Sequence, residues 1–186
     1  MDSSTLKSHS PYKRGADWGA WFGIYLSVLF FVTSYSVSSP VCALIGLLMI
    51  IGVPPCIYFM LRKSYVSDNG TTIFSSLWME GISIFFFGGL IASIVAMIYM
   101  RWIDPTFFDS RIDTLIGMYS SMDMQQAQDA ADMLIAARDQ KLLPKPIELT
   151  VDMLWLIVFS GSILSMLMSW LVQLTKVSPR VHKQKK

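Results

Sequence analysis

Glu80 has the clearest chemical potential in this sequence, because it interrupts an apolar run from Leu77 to Met100. A carboxylate buried at mid-depth in a membrane is costly and is by default functional. Its position tempers that reading. Asp17, Glu80 and Asp152 each fall in or just before the first turn of an expected span, where the positive pole of a helix and its free N–H groups favour an acid. Glu80 lies about one turn from the interface, near enough to snorkel, and is retained as a candidate functional acid. Arg62, Arg101 and Lys176 close their helices at the opposite pole.

Other reactive side chains form no catalytic set. Ser160-Gly161-Ser162 could supply a hydroxyl nucleophile, but a serine needs a positioned base and the spans contain no His or Lys. His9 and His182 lie in the two tails. Neither an HExxH helix, nor a paired-cysteine metal spacing, nor a Gly-rich phosphate loop occurs. Cys42 and Cys56, on one helix and about 21 Å apart at the usual rise, cannot bridge. No catalytic residue, metal or cofactor is therefore expected, and the chain reads as a non-enzyme. Gly52-Val53-Pro54-Pro55 removes two backbone donors from its helix and predicts a kink. The carbonyls of Ile50 and Ile51 would be freed, with the Ser162 and Ser165 hydroxyls as expected partners at equal depth.

Small residues carry a second pattern. Gly15, Gly19, Gly23 and Ser27 recur at four-residue spacing, as do Gly88, Ala92 and Ala96, and Gly161, Ser165 and Ser169. Such stripes let helix backbones approach closely in lipid, within one bundle or across a homodimer or partner interface.

The elements that would position these residues are membrane spans. With 53% hydrophobic and only 15% charged residues, the composition is that of a membrane protein. Residues 18–37, 41–61, 77–100 and 151–174 each reach the roughly 20 residues that a crossing requires. Residues 1–17 form an N-terminal tail and 175–186 a basic C-terminal tail. The first run is too long for a signal peptide, and Ser36-Val37-Ser38 is a poor cleavage site, so it stays as a span.

Orientation is set by charge. Lys7, Lys13, Arg14, Arg62, Lys63, Lys176, Arg180, Lys183, Lys185 and Lys186 share one side, against Arg101, Arg111, Arg138, Lys141 and Lys145 on the other. The positive-inside bias makes both tails cytoplasmic. Trp18, Trp21, Trp78 and Trp170 then mark the inner interface, and Trp102 and Trp155 the outer one.

After Met100 the chain turns abruptly to charge and aromatic rings. Pro105 disfavours helix at the residue before it, so the third span should stop near Ile103, with Asp104 capping a new helix and Pro105 at its first position. Phe108, Ile112, Leu115, Ile116 and Tyr119 share one face of that helix. Ser120 and Asp123 offer a capping box for a second helix, whose face holds Met124, Ala127, Ala131, Leu134 and Ile135, and Pro144 and Pro146 end it. The expected architecture is all-α, a four-span bundle with an extracytoplasmic amphipathic helical segment, residues 104–143, between helices 3 and 4. The apolar faces of that segment should cover each other and the ends of the spans near Trp102 and Trp155. Its acidic polar face, with Asp129, Asp132 and Asp139, disfavours attraction to anionic lipid.

The order of parts resembles a family. A hairpin of spans, a basic turn, a third span ending in Trp102-Ile103-Asp104-Pro105-Thr106-Phe107-Phe108, a Met-, Gln- and Ala-rich outer segment, and a last span trailed by lysines are similar to the bacterial membrane proteins grouped as domain of unknown function 4199. The resemblance covers Gly15 to Lys176 and implies a four-span protein of the Gram-negative inner membrane, with no functional residue to transfer. Two function classes remain. The favoured one is a non-enzymatic interaction or assembly component that uses its outer segment. The runner-up is a small oligomeric transporter or channel component, gated at the kink. The partners expected are the lipid bilayer and a membrane protein or a second copy of the chain, with no nucleic acid.

Overall fold

In the computed structural model, residues 11–36, 39–140 and 145–175 are described. Six helices occur among them and no strand: α1 Pro11–Tyr35, α2 Pro40–Ser67, α3 Phe74–Ile98, α4 Phe107–Ser120, α5 Gln125–Asp139 and α6 Pro146–Leu174. Four are long and apolar enough to cross a membrane, α3 being counted through Ile103. Val37 and Ser38, Lys141, Pro144, both tail histidines, and the tail cations Lys7, Lys176, Arg180, Lys183, Lys185 and Lys186 lie outside the described residues.

The spans outrun their apolar cores. α1 begins at Pro11 rather than residue 18, α2 continues to Ser67, and α6 begins at Pro146, so that this proline starts a helix instead of ending one. The reason is that hydropathy reports what lipid tolerates, whereas helical hydrogen bonding continues into polar residues. Proline suits a first helical position because its missing N–H has no partner there in any case. Asp17, Glu80 and Asp152 consequently lie nearly two turns inside their helices, not in the first turn.

The third helix ends at Ile103, through a π turn, Tyr99–Ile103, closed by the Asp104 N–H on the Tyr99 carbonyl at 2.9 Å. Asp104 does not cap the next helix. Asp104-Pro105-Thr106 form a tight turn, with Thr106 Oγ1 donating to Asp104 Oδ1 at 2.9 Å, and α4 starts only at Phe107. The capping box is also absent: Ser121 closes α4, and α5 starts at Gln125 behind Met124 without a side-chain cap. α2 remains helical through Pro54 and Pro55. The hydroxyl that reaches this turn is that of Tyr25, which donates to the Met49 carbonyl. Ser165 packs on Gly81 of α3 instead, and its hydroxyl has no hydrogen-bond partner among the described residues, so it does not serve the kink. Cys42 and Cys56 are free thiols.

The chain separates into two compact units, one with α1, α2, α3 to Ala92 and α6 from Leu154, the other spanning Ser93–Met153. In the first, Phe22, Ile57, Leu61, Leu77, Ile84, Phe85 and Val172 form the core, with Phe22 set edge-on to Phe85 at 5.0 Å. α3 is its most buried helix, whereas α2 and α6 leave most of their apolar surface exposed. In the second, α4 and α5 form a hairpin joined by an ion pair between Arg138 and Asp113.

Candidate functional site

The small residues decide how the helices of the first unit approach. A Cβ on Gly15 would come within 2.4 Å of Ser83 Cβ, one on Gly19 within 2.8 Å of Phe87 Cβ, and one on Gly23 within 2.8 Å of Ile91 Cβ. The offset between partners is the same at each step, so α1 and α3 run parallel. Gly88 meets the same seam from the other side, where a Cβ would lie 3.2 Å from the Gly19 carbonyl. On α6 the pairs are Gly161 with Phe85 and Ser165 with Gly81, so α6 runs antiparallel to α3. Ser165, Ser169 and Ala92 are fully buried. The start of α1, the α2–α3 turn and the end of α6 therefore meet at one end of the unit, where the Gln173 amide donates to the Thr72 carbonyl at 3.3 Å.

Charge gathers at that end. Asn69 and Gly70 adopt positive φ, 54° and 75°, a conformation that these two residue types tolerate. They turn the chain sharply after α2. Asp68, at the corner, accepts from Thr72 Oγ1 at 2.7 Å and takes both oxygens to Arg14 Nη1 at 2.8 Å. The second guanidinium nitrogen, Nη2, lies 3.5 Å from Glu80 Oε2, while Ser64 donates to Glu80 Oε1. Glu80 is wholly buried, Arg14 is 17% exposed and Asp68 33%. Burial raises the Asp68 carboxyl, but hydrogen bonds from Thr72 and Arg14, with the Arg14 charge, outweigh it and hold the group below the usual carboxylate range.

Glu80 does not snorkel. It is fully buried, and its polar neighbours Arg14 and Ser64 come from α1 and α2. Reading Arg14 as a tail residue concealed this, and Ser64 and Asp68 were not singled out by the sequence. The signal was the spacing of glycines: Gly15 against the Glu80 carbonyl at 3.0 Å from a built Cβ puts Arg14, one residue earlier, beside the acid. Chemically the cluster holds one guanidinium between two carboxylates and ties three elements together. Among the described residues no group of three or more His, Cys, Asp or Glu side chains is placed to hold a metal ion.

The hairpin of the second unit buries only part of its expected apolar faces. α5 turns Ala127 and Ala131 inward, with Ile112 of α4 also buried, and leaves Met124, Met133 and Ile135 exposed. Leu115 and Met118 of α4 are exposed too. The sequence placed Met124, Ile135 and Leu115 on covered faces; small inward side chains let the two helices approach closely and push the larger ones outward. Trp102 and Trp155 are 75% and 70% exposed.

Comparison with known proteins adds one finding. The family model for proteins of unknown function designated DUF4199 matches residues 17–173. The chain belongs to the DUF4199 family. No curated protein and no solved structure matches it. This DUF4199 protein is all-helical among its described residues, with four helices suited to crossing a membrane.

Proposed function

We propose that this DUF4199 protein is a non-enzymatic assembly component of the bacterial inner membrane. In this reading both termini are cytoplasmic, and the α4–α5 hairpin is an extracytoplasmic docking element for another membrane protein. The observation that carries it is the set of large apolar side chains that this hairpin leaves exposed, Leu115, Met118, Met124, Met133 and Ile135. Methionine-rich exposed surfaces adapt to a partner. Between Asp104 and Gln140 seven acids stand against Arg111 and Arg138, so the partner that complements this surface presents a basic, apolar segment. The buried charges of the first unit support a structural rather than a transporting role, because Arg14, Asp68 and Glu80 are engaged with one another at one end of the helices.

A photoreactive residue at Met133 or Ile135 tests the docking reading in growing cells. The expected result is a discrete crosslinked species with a membrane protein, lost in Asp129→Lys/Asp132→Lys. A crosslink only to lipid, or one indifferent to that charge reversal, overturns it. Orientation is tested separately in a background lacking Cys42 and Cys56. A cysteine at Gln126 should react with an impermeant maleimide in intact cells and one at Lys185 should not; the opposite labelling reverses the topology.

A further inference from the structure

We propose that the last two turns of α2 form a selective site for the headgroup of an anionic phospholipid. Phe59, Arg62, Lys63 and Val66 line one groove of about 440 Å³ on this helix. Their spacing, i, i+3, i+4 and i+7, places all four on a single face. Arg62 and Lys63 are exposed, and among the described residues neither forms an ion pair with an acid, in contrast to Arg14 and Arg138. Of the acids at this end of the unit, Asp68 and Glu80 are engaged by Arg14, while Asp17, exposed on α1, forms no ion pair with Arg62 or Lys63 among the described residues.

Aromatic rings hold the two cations instead. Lys63 Nζ sits 4.8 Å from the centre of the Trp18 ring, and the Arg62 guanidinium carbon 5.9 Å from that of Tyr58. A ring face orients a cation without cancelling its charge. The donors of both residues stay available to phosphate oxygens. Two adjacent cations also disfavour a headgroup that carries its own ammonium, which separates an anionic from a zwitterionic lipid.

The apolar continuation fits one acyl chain. Leu44, Leu48, Ile51 and Phe59 are all at least 60% exposed and lie on the same face of α2 as Arg62. From Ile51 to Arg62 the axis advances about 16 Å at the usual rise, roughly half of a hydrocarbon core of about 30 Å. That is the depth of one leaflet. A headgroup at Arg62 and Lys63 would thus lay its chain along Phe59 and Ile51.

The test uses the full chain in nanodiscs of defined composition, with bound lipid counted by native mass spectrometry after release. Phosphatidylglycerol competes with phosphatidylethanolamine. Each basic residue near a headgroup is worth roughly fivefold in binding to an anionic surface, so Arg62→Gln/Lys63→Gln should lower phosphatidylglycerol retention by about 25-fold. Lys13→Gln, at the same end of the unit, should leave it unchanged, and Lys63→Arg should retain it. A thermal transition matching wild type in all three variants establishes that folding is intact. Equal retention of the two lipids by wild type would show an ordinary annular shell and overturn the proposal. Equal loss in Lys13→Gln would show a diffuse field with the same consequence. Displacement of the lipid by inorganic phosphate at millimolar concentration would assign the groove to free phosphate instead.

Discussion

Arg14→Ala should be the most damaging single change at the charge cluster, and the reason lies in what it leaves behind. Glu80 is fully buried, and Arg14 is its only ion-pair partner among the described residues. Removing one member of a buried pair costs about 3–5 kcal/mol, because the remaining charge is stranded in a medium that solvates it poorly. Here the nitrogen–oxygen distance is 3.5 Å, Arg14 is 17% exposed and Ser64 stays bonded to the other oxygen, which places the loss near the lower limit, about 3 kcal/mol. Glu80→Gln keeps an acceptor for Ser64 and removes the buried charge, so it should cost only about 1 kcal/mol. The double variant should then lose about 2 kcal/mol rather than the sum, a coupling energy within the range for residues in contact. Asp68→Asn breaks a pair that is a third exposed and should stay within about 1 kcal/mol of wild type. Unfolding by dodecyl sulfate in mixed micelles at pH 7, monitored by circular dichroism, supplies all four values. An additive cycle, or an Arg14→Ala protein within about 0.5 kcal/mol of wild type, would refute the argument that the pair is desolvated and interacting.

Gly161→Ala should destabilise the first unit by about 1–3 kcal/mol in the same assay, because a Cβ there lies 2.1 Å from Phe85 Cγ and Phe85 is fixed against Phe22. Gly117→Ala, where nothing lies within 4 Å, should stabilise α4 by up to about 1 kcal/mol through helix propensity, seen as slower amide exchange. Tyr25→Phe should lose about 1 kcal/mol and shift the infrared band of a ¹³C-labelled Met49 carbonyl, since that carbonyl accepts the Tyr25 hydroxyl. The depressed Asp68 carboxyl sets the sign of an acid response: its stabilisation is fully present above the unfolded value near 3.9 and is lost as pH falls through the lower folded value. Thermal scans between about pH 5 and pH 2 should therefore show an acid loss that Asp68→Asn reduces; an identical profile in the variant would contradict the assignment.

What was legible in the sequence was whatever depends on composition over a whole segment. About twenty consecutive apolar residues favour one long helix, and Pro105 disfavours helical geometry at Asp104, so the four long helices and the stop at Ile103 could be read directly. The caps could not, because Asp104 and Ser120 have several hydrogen-bonding options and the choice among them depends on where the next helix is anchored. Thr106 takes the Asp104 carboxylate, and Ser121 closes α4, before either predicted cap forms. The exposure of Leu115, Met124 and Ile135 was illegible for a related reason. Periodicity finds an apolar face but does not say whether small or large residues will meet the neighbouring helix.

Glu80 shows how two individually weak signals become strong together. A buried acid alone is ambiguous, and a stripe of glycines alone is common in membrane helices. The stripe, however, fixes the parallel register of α1 on α3. Because Gly15 has no side chain, α1 comes to within contact of the Glu80 carbonyl and Ser83. A guanidinium borne one residue earlier then spans the acid on α3 and the acid at the α2–α3 turn with the two ends of its fork, a geometry that a lysine ammonium could not reproduce. Close backbone approach and charge compensation thus depend on each other at this end of the unit. A larger residue at Gly15 would part the helices and strand the carboxylate, while an uncompensated carboxylate would oppose the approach that the glycine permits.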